Sequence, residues 1–158
     1  MPFGRTVMAN EALKEFFRQK KSKSGEDVDW QARKEAWVQA IEKLYKKIKE
    51  DYLAGPISED LVKIRYRQRM VVEEYIDPYP VNELVVLVGD EMVSFLPKGM
   101  NIVGASGRID LVGDMGEKTI VLQPEEGWGI VEARTPTLKI VPLDEDSLLT
   151  ALKEVMRG

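Results

Sequence analysis

Arg108, Asp110, Asp114, Glu117 and Lys118 fall within eleven consecutive positions of a 158-residue chain. Three carboxylates beside a lysine are the equipment of a metal-dependent hydrolase or nuclease. Hard oxygen ligands hold Mg²⁺ or Mn²⁺, and the bound ion activates water. The same residues also suit the tip of a β-hairpin, and the strand register separates the two readings. With Gly113–Gly116 as the loop, Val112 faces Glu117, Asp110 faces Thr119 and Arg108 faces Val121. Side chains alternate across a strand. Arg108, Asp110, Glu117 and Thr119 then share one face, while Ile109, Leu111, Lys118, Ile120 and Leu122 share the other and point into the core. A metal-nuclease pattern needs a glutamate and a lysine two positions apart on one face. Glu117 and Lys118 are adjacent and point apart. The expectation is structural: Asp114 in the turn, Glu117 toward solvent, and Asp110 hydrogen-bonded to Arg108 or Thr119. A Mg²⁺- or Mn²⁺-dependent hydrolase using Asp110 and Glu117, with Asp114, is the alternative, the first two being diagonal neighbours roughly 7–8 Å apart.

Composition narrows the chemistry. The chain has neither cysteine nor histidine. Disulfides, thiolate metal sites and thiol catalysis are excluded, as is the usual general base near neutral pH. Ser-His-Asp and Cys-His machinery cannot be built from these residues. No GxxxxGK[ST] or GxGxxG segment occurs, so no phosphate-cradling loop is claimed and no cofactor is expected. The glycine-rich GASG at 104–107 lies between strands and reads as a bulge or tight corner. Asp144, Glu145 and Asp146 cluster at a helix start, where negative charge and N-capping suit them.

Three further sets could contact partners. Arg65, Arg67 and Arg69 line one strand face, as phosphate-binding rows do, although the chain carries a formal charge of −4. Glu73, Glu74 or Glu91 on neighbouring strands could equally pair with them. Trp30, Trp37 and Trp128 are candidate anchors for another protein. Charge is unevenly divided. Residues 1–69 hold 16 Lys+Arg against 11 Asp+Glu (+5), and residues 70–158 hold 7 against 16 (−9), which together give −4.

The elements that must position these residues follow from periodicity. Asn10 is a plausible N-cap for a helix EALKEFFRQKK, with Leu13, Phe16 and Phe17 on one side, followed by a polar turn KSKSGED. A second helix is capped by Asp27 or Asp29 and stopped by Gly55-Pro56. Its Trp30, Trp37, Ile41, Leu44, Ile48 and Tyr52 recur at helical spacing. That stripe should pack on the first helix and the sheet, or dock on another chain. From Leu61 the period becomes two. After a proline-punctuated IDPYP connection, two apolar runs flank Gly89-Asp90 as a hairpin, and NIVGA, GRIDLV, KTIVLQ, WGIVEA and LKIVPL follow as short strands. A closing helix buries Leu148, Leu149, Leu152, Val155 and Met156. The expected fold is α+β in one domain: a helical part (1–57), an antiparallel meander of about seven strands (58–143) forming a twisted sheet or small partly open barrel, and a C-terminal helix (144–158).

The helix DWQARKEAWVQAIEKLY, the hairpin IVGASGRIDLVGDMGEKTIVL and the closing LKIVPLDEDSLLTALKEVM together resemble a group of small bacterial proteins with a helical front and a β-rich back. No activity, ligand or catalytic residue comes with that group. The resemblance implies a bacterial cytoplasmic setting, which the absence of a long apolar run or signal-peptide pattern fits. The leading functional expectation is a non-enzymatic protein-binding or regulatory module, bound to another protein or to itself, with no membrane partner. The hydrolase comes second, and a nucleic-acid binder through Arg65, Arg67 and Arg69 third.

Overall fold

The computed structural model describes residues 2–23, 29–100 and 105–158. The chain divides into two units, Met1–Trp30 and Gln31–Gly158. The first is one helix, α1 (Pro2–Lys23). It begins well before Asn10, which lies inside the helix rather than capping it. It also runs through Lys23, three residues into the expected KSKSGED turn. The rest of that segment, with Asp27, lies outside the described residues, and so do Asn101–Gly104 of the expected NIVGA strand.

Helix α2 (Trp30–Lys47) starts directly after Asp29. It passes into a π-helical turn, Ile48–Tyr52, and then a short α3, Ala54–Ser58. Gly55 and Pro56 therefore sit inside α3, and the break comes at Leu53, whose N–H donates to the Ile48 carbonyl at 2.8 Å. Trp37, Ile41, Leu44, Tyr45 and Ile48 are buried, each worth about 1.5–3 kcal/mol of hydrophobic transfer before entropy opposes it. Tyr45 was not part of the expected stripe, although it lies one helical step beyond Ile41.

Seven strands follow in chain order: β1 Lys63–Glu73, β2 Ile76–Val88, β3 Glu91–Gly99, β4 Gly107–Gly113, β5 Gly116–Gln123, β6 Gly127–Ala133 and β7 Lys139–Pro142. All neighbours are antiparallel, the spatial order equals the sequence order, and the sheet is not closed. The architecture is α+β with helices at both ends of the chain. The IDPYP segment belongs to β2, and the turn falls earlier, at Glu74-Tyr75, where Tyr75 takes a φ of 69°. Two prolines are tolerated there for a physical reason. Strand β3 pairs with β2 only from Leu84 to Val88. Among the described residues, 76–83 have a strand on one side only, where a missing N–H costs little.

Helix α4 (Glu145–Val155) starts from a capping box. Asp144 accepts from the Ser147 N–H at 2.8 Å, and the Asp144 N–H donates to Ser147 Oγ at 2.9 Å. Its C-terminal end rests on the β4–β5 turn, where the Met115 N–H donates to the Val155 carbonyl at 2.8 Å. Among the described residues, no helix is long and apolar enough to cross a membrane.

The register sorts the sheet into two faces. Leu84 pairs with Phe95, Phe95 with Leu111, and Ile109 with Ile120, which in turn pairs with Ile130. These residues are almost wholly buried on the face that meets α2. The opposite face carries Arg67, Glu83, Ser94, Asp110 and Thr119.

Candidate interaction surfaces

The hairpin β4–β5 has the register read from the sequence: Val112 opposite Glu117, Asp110 opposite Thr119, Arg108 opposite Val121. Asp110 is only 2% exposed. Arg108 sits two residues away on the same face and grips it with both ends of its fork, Nε to Oδ1 at 2.8 Å and an Nη to Oδ2 at 3.2 Å. That bidentate bond, reinforced by the charges of Asp110 and Glu117, raises the Arg108 pKa further although burial opposes it. Asp114 is turned to the chain's end, where Arg157 Nε meets it at 3.1 Å. The same Arg157 reaches Asp90 at 3.1 Å, so it links the β2–β3 and β4–β5 turns. Glu117 is exposed. Asp110 and Asp114 are thus held by different arginines, while Glu117 faces solvent. Among the described residues, no group of three acids is placed to hold a metal ion. Asp110, Glu117, Arg108, Glu73 and Lys98 border an open polar hollow of about 710 Å³. Glu73 stabilises one wall of it, accepting from the Tyr79 hydroxyl and from the Met100 N–H at 2.7 Å.

The arginine row of β1 meets a partner that sequence reasoning missed. Arg67 reaches Glu83 at 2.8 Å and Arg69 reaches it at 2.7 Å. Glu83 is 2% exposed, whereas both arginines are about half exposed. Burial pushes the Glu83 carboxyl up. Hydrogen bonds from Arg69, Arg67 and Ser94, with the Arg67 charge, outweigh that and hold it below the usual carboxylate range. Glu83 had been hidden at the head of the apolar run ELVVLV. Its signal was positional: it lies directly across from Arg67 once the β1–β2 turn is set at 74–75. Arg65, the third member of the row, is exposed on the same strand.

The tryptophans divide. Trp37 is 2% exposed and lies over Gly107, where an added Cβ would stand 2.1 Å from the ring. Its indole meets that of Trp128 with centroids 5.9 Å apart. Trp128 is half-buried at the start of β6, and Trp30 is half-buried at the start of α2. Gly107 is therefore a packing glycine, the only residue small enough to let β4 pass beneath the indole. Tyr45 fastens α2 to the sheet beside this contact. Its hydroxyl donates to the Asn82 carbonyl at 2.6 Å, with the Phe95 carbonyl at 3.2 Å. Burial, with the nearby Glu42 charge, raises its pKa and keeps it neutral.

Two surfaces combine apolar and charged groups. On α1, residues 10–20 are exposed throughout. Leu13, Phe16 and Phe17, at i, i+3 and i+4, are 54%, 51% and 62% exposed. The two phenylalanines meet edge to face at 5.6 Å, and Lys20 lies over the Phe16 ring. The other side of the helix carries exposed pairs, Lys14 with Glu11 and Arg18 with Glu15. The second surface is a groove of about 280 Å³ beside α4. Ile130, Val141, Pro142 and Ala151 form its apolar lining. Glu132, Asp144, Asp146 and Glu154 stand around it. No family model, no curated protein and no solved structure matches this chain.

Proposed function

We propose that this protein is a non-catalytic module that docks on a protein surface through α1. The observation that carries the reading is the trio Leu13, Phe16 and Phe17, three large apolar side chains on one side of a helix, each more than half exposed. Single helices are marginal in water, and most of their stability comes from packing an apolar face. An amphipathic helix laid into a hydrophobic groove uses this i, i+3, i+4 spacing as its anchors. The hydrolase reading is weaker because Asp110 is held by Arg108 and Asp114 by Arg157. The nucleic-acid reading is weaker because Arg67 and Arg69 are committed to Glu83. We assign the protein to the bacterial cytoplasm on the resemblance alone.

The test is capture from native lysate with tagged wild-type chain and with a Leu13→Asp/Phe17→Asp variant. A partner recovered in stoichiometric amount by the wild type and lost with the variant is the expected result. Recovery of the same partners by both chains would refute a role for α1.

A further inference from the structure

We infer that the groove beside α4 in one copy of this protein receives α1 of a second copy, and that the exchange is reciprocal. The inference rests on the reading of α1 as a docking helix and names its receptor. Two observations carry it, and a closure argument adds the reciprocity.

The groove is built for an apolar anchor inside an acidic frame. Its lining comes from Ile130 on β6, Val141 and Pro142 on β7, and Ala151 on α4. A volume of about 280 Å³ is close to the lower limit of ligand pockets. Glu132, Asp144, Asp146 and Glu154 surround it against a single lysine, Lys118, which is bound to Glu154. Lys139 stands 3.5 Å from Glu132, in an exposed pair that solvent screens.

The docking helix has the complementary character. Over Pro2–Lys23 it carries six Lys+Arg against two Glu, a net +4, and its exposed apolar residues include two phenylalanines. Apolar contact would hold the pair, while opposite charge steers and orients it. The division of charge within the chain, +5 against −9, sets the same polarity between copies.

Reciprocity follows from geometry and area. One helix in one groove is a heterologous contact, which runs on into open chains unless it closes. If each copy gives its helix to the other, the contact closes as a two-fold dimer and the buried area doubles. Stable interfaces bury about 1,200–2,000 Å² in total.

The experiment is sedimentation velocity of the full chain over a concentration series, with four variants. Wild type should pass from monomer to dimer. Lys20→Glu in the helix, whose ammonium lies over the Phe16 ring on the apolar side, and Glu132→Lys/Asp146→Lys at the groove should each weaken the dimer by at least about tenfold. An equimolar mixture of those two variants should regain a dimer, because the reversed charges match again. Thr150→Trp obstructs the groove without altering charge and should also leave a monomer, with far-UV circular dichroism confirming the fold. A chain that stays monomeric at every concentration overturns the groove assignment, while the lysate capture still judges α1 on its own. A dimer indifferent to the groove variants but lost with Leu13→Asp/Phe17→Asp overturns the groove and upholds α1.

Discussion

Replacing Gly107 by alanine is the sharpest probe of the core, since nothing but one methyl is added. That methyl would stand 2.1, 2.4 and 2.5 Å from three carbons of the Trp37 ring. Carbon atoms in contact keep about 3.5–4.0 Å, so the indole or strand β4 must move by about 1.5 Å. Neither has room. The ring is 2% exposed and packed on Trp128, and α2 is pinned by Tyr45 to the backbone of β2 and β3. Overpacking costs about 1–3 kcal/mol, and a clash against a rigid ring belongs at the upper end, about 3 kcal/mol. In a chain of this size that lowers Tm by roughly 6–12 °C. Urea unfolding followed by far-UV circular dichroism reads it directly. Trp37→Leu on its own should cost about 3 kcal/mol by leaving a cavity. With the ring gone the new methyl has space, so the double variant should fall short of the summed losses by at least about 1 kcal/mol. Stability of Gly107→Ala within about 0.5 kcal/mol of wild type, or strict additivity in the pair, would refute the packing argument.

Four other outcomes are expected. Tyr45→Phe should cost about 1–2 kcal/mol in urea unfolding, since a buried hydrogen bond is lost with little change in volume. Removing both Arg67 and Arg69 should destabilise more than Glu83→Gln, because it leaves a buried carboxylate unpaired, whereas half-exposed arginines rehydrate. The pH dependence of that cluster has a definite sign. The folded pKa of Glu83 is depressed, so its contribution is complete above the unfolded value of about 4.3 and disappears as pH falls through the folded value; melting curves should show wild type losing more stability than Glu83→Gln on acidification. Asp144→Ala should cost about 1 kcal/mol by opening the capping box, with faster amide hydrogen exchange confined to the first turns of α4.

The period of two made the strands legible. Residues 107–123 alternate about a glycine loop, and their register and the inward set at Ile109, Leu111 and Ile120 could be derived without coordinates, with Arg108 as one of two partners offered for Asp110. The α2 stripe was equally plain at Trp37, Ile41, Leu44 and Ile48. What escaped reading depended on long-range neighbours. Pro78 and Pro80 argue against a strand until it is known that β3 leaves that stretch unpartnered. Glu83 stands at the head of an apolar run, and only its cross-strand arginines explain it. Tyr45 looks like one more aromatic on a lysine-rich helix until the carbonyls of Asn82 and Phe95 arrive beneath it. Asn10 carries a capping side chain, but capping chemistry is local and weak, and the helix continues through it. The groove beside α4 is a gap between elements, so no residue pattern announces it.

The one-after-another strand order has a kinetic consequence. Every ladder joins neighbours along the chain, so each hairpin closes through a short loop and any of them can start the sheet. Among the contacts with wide sequence separation are Tyr45 with Phe95, 50 residues apart, and Arg157 with Asp90, 67 apart. Those two should form late, as clasps shut over a sheet that has already zipped. Weakening them should quicken unfolding while leaving the refolding rate almost untouched.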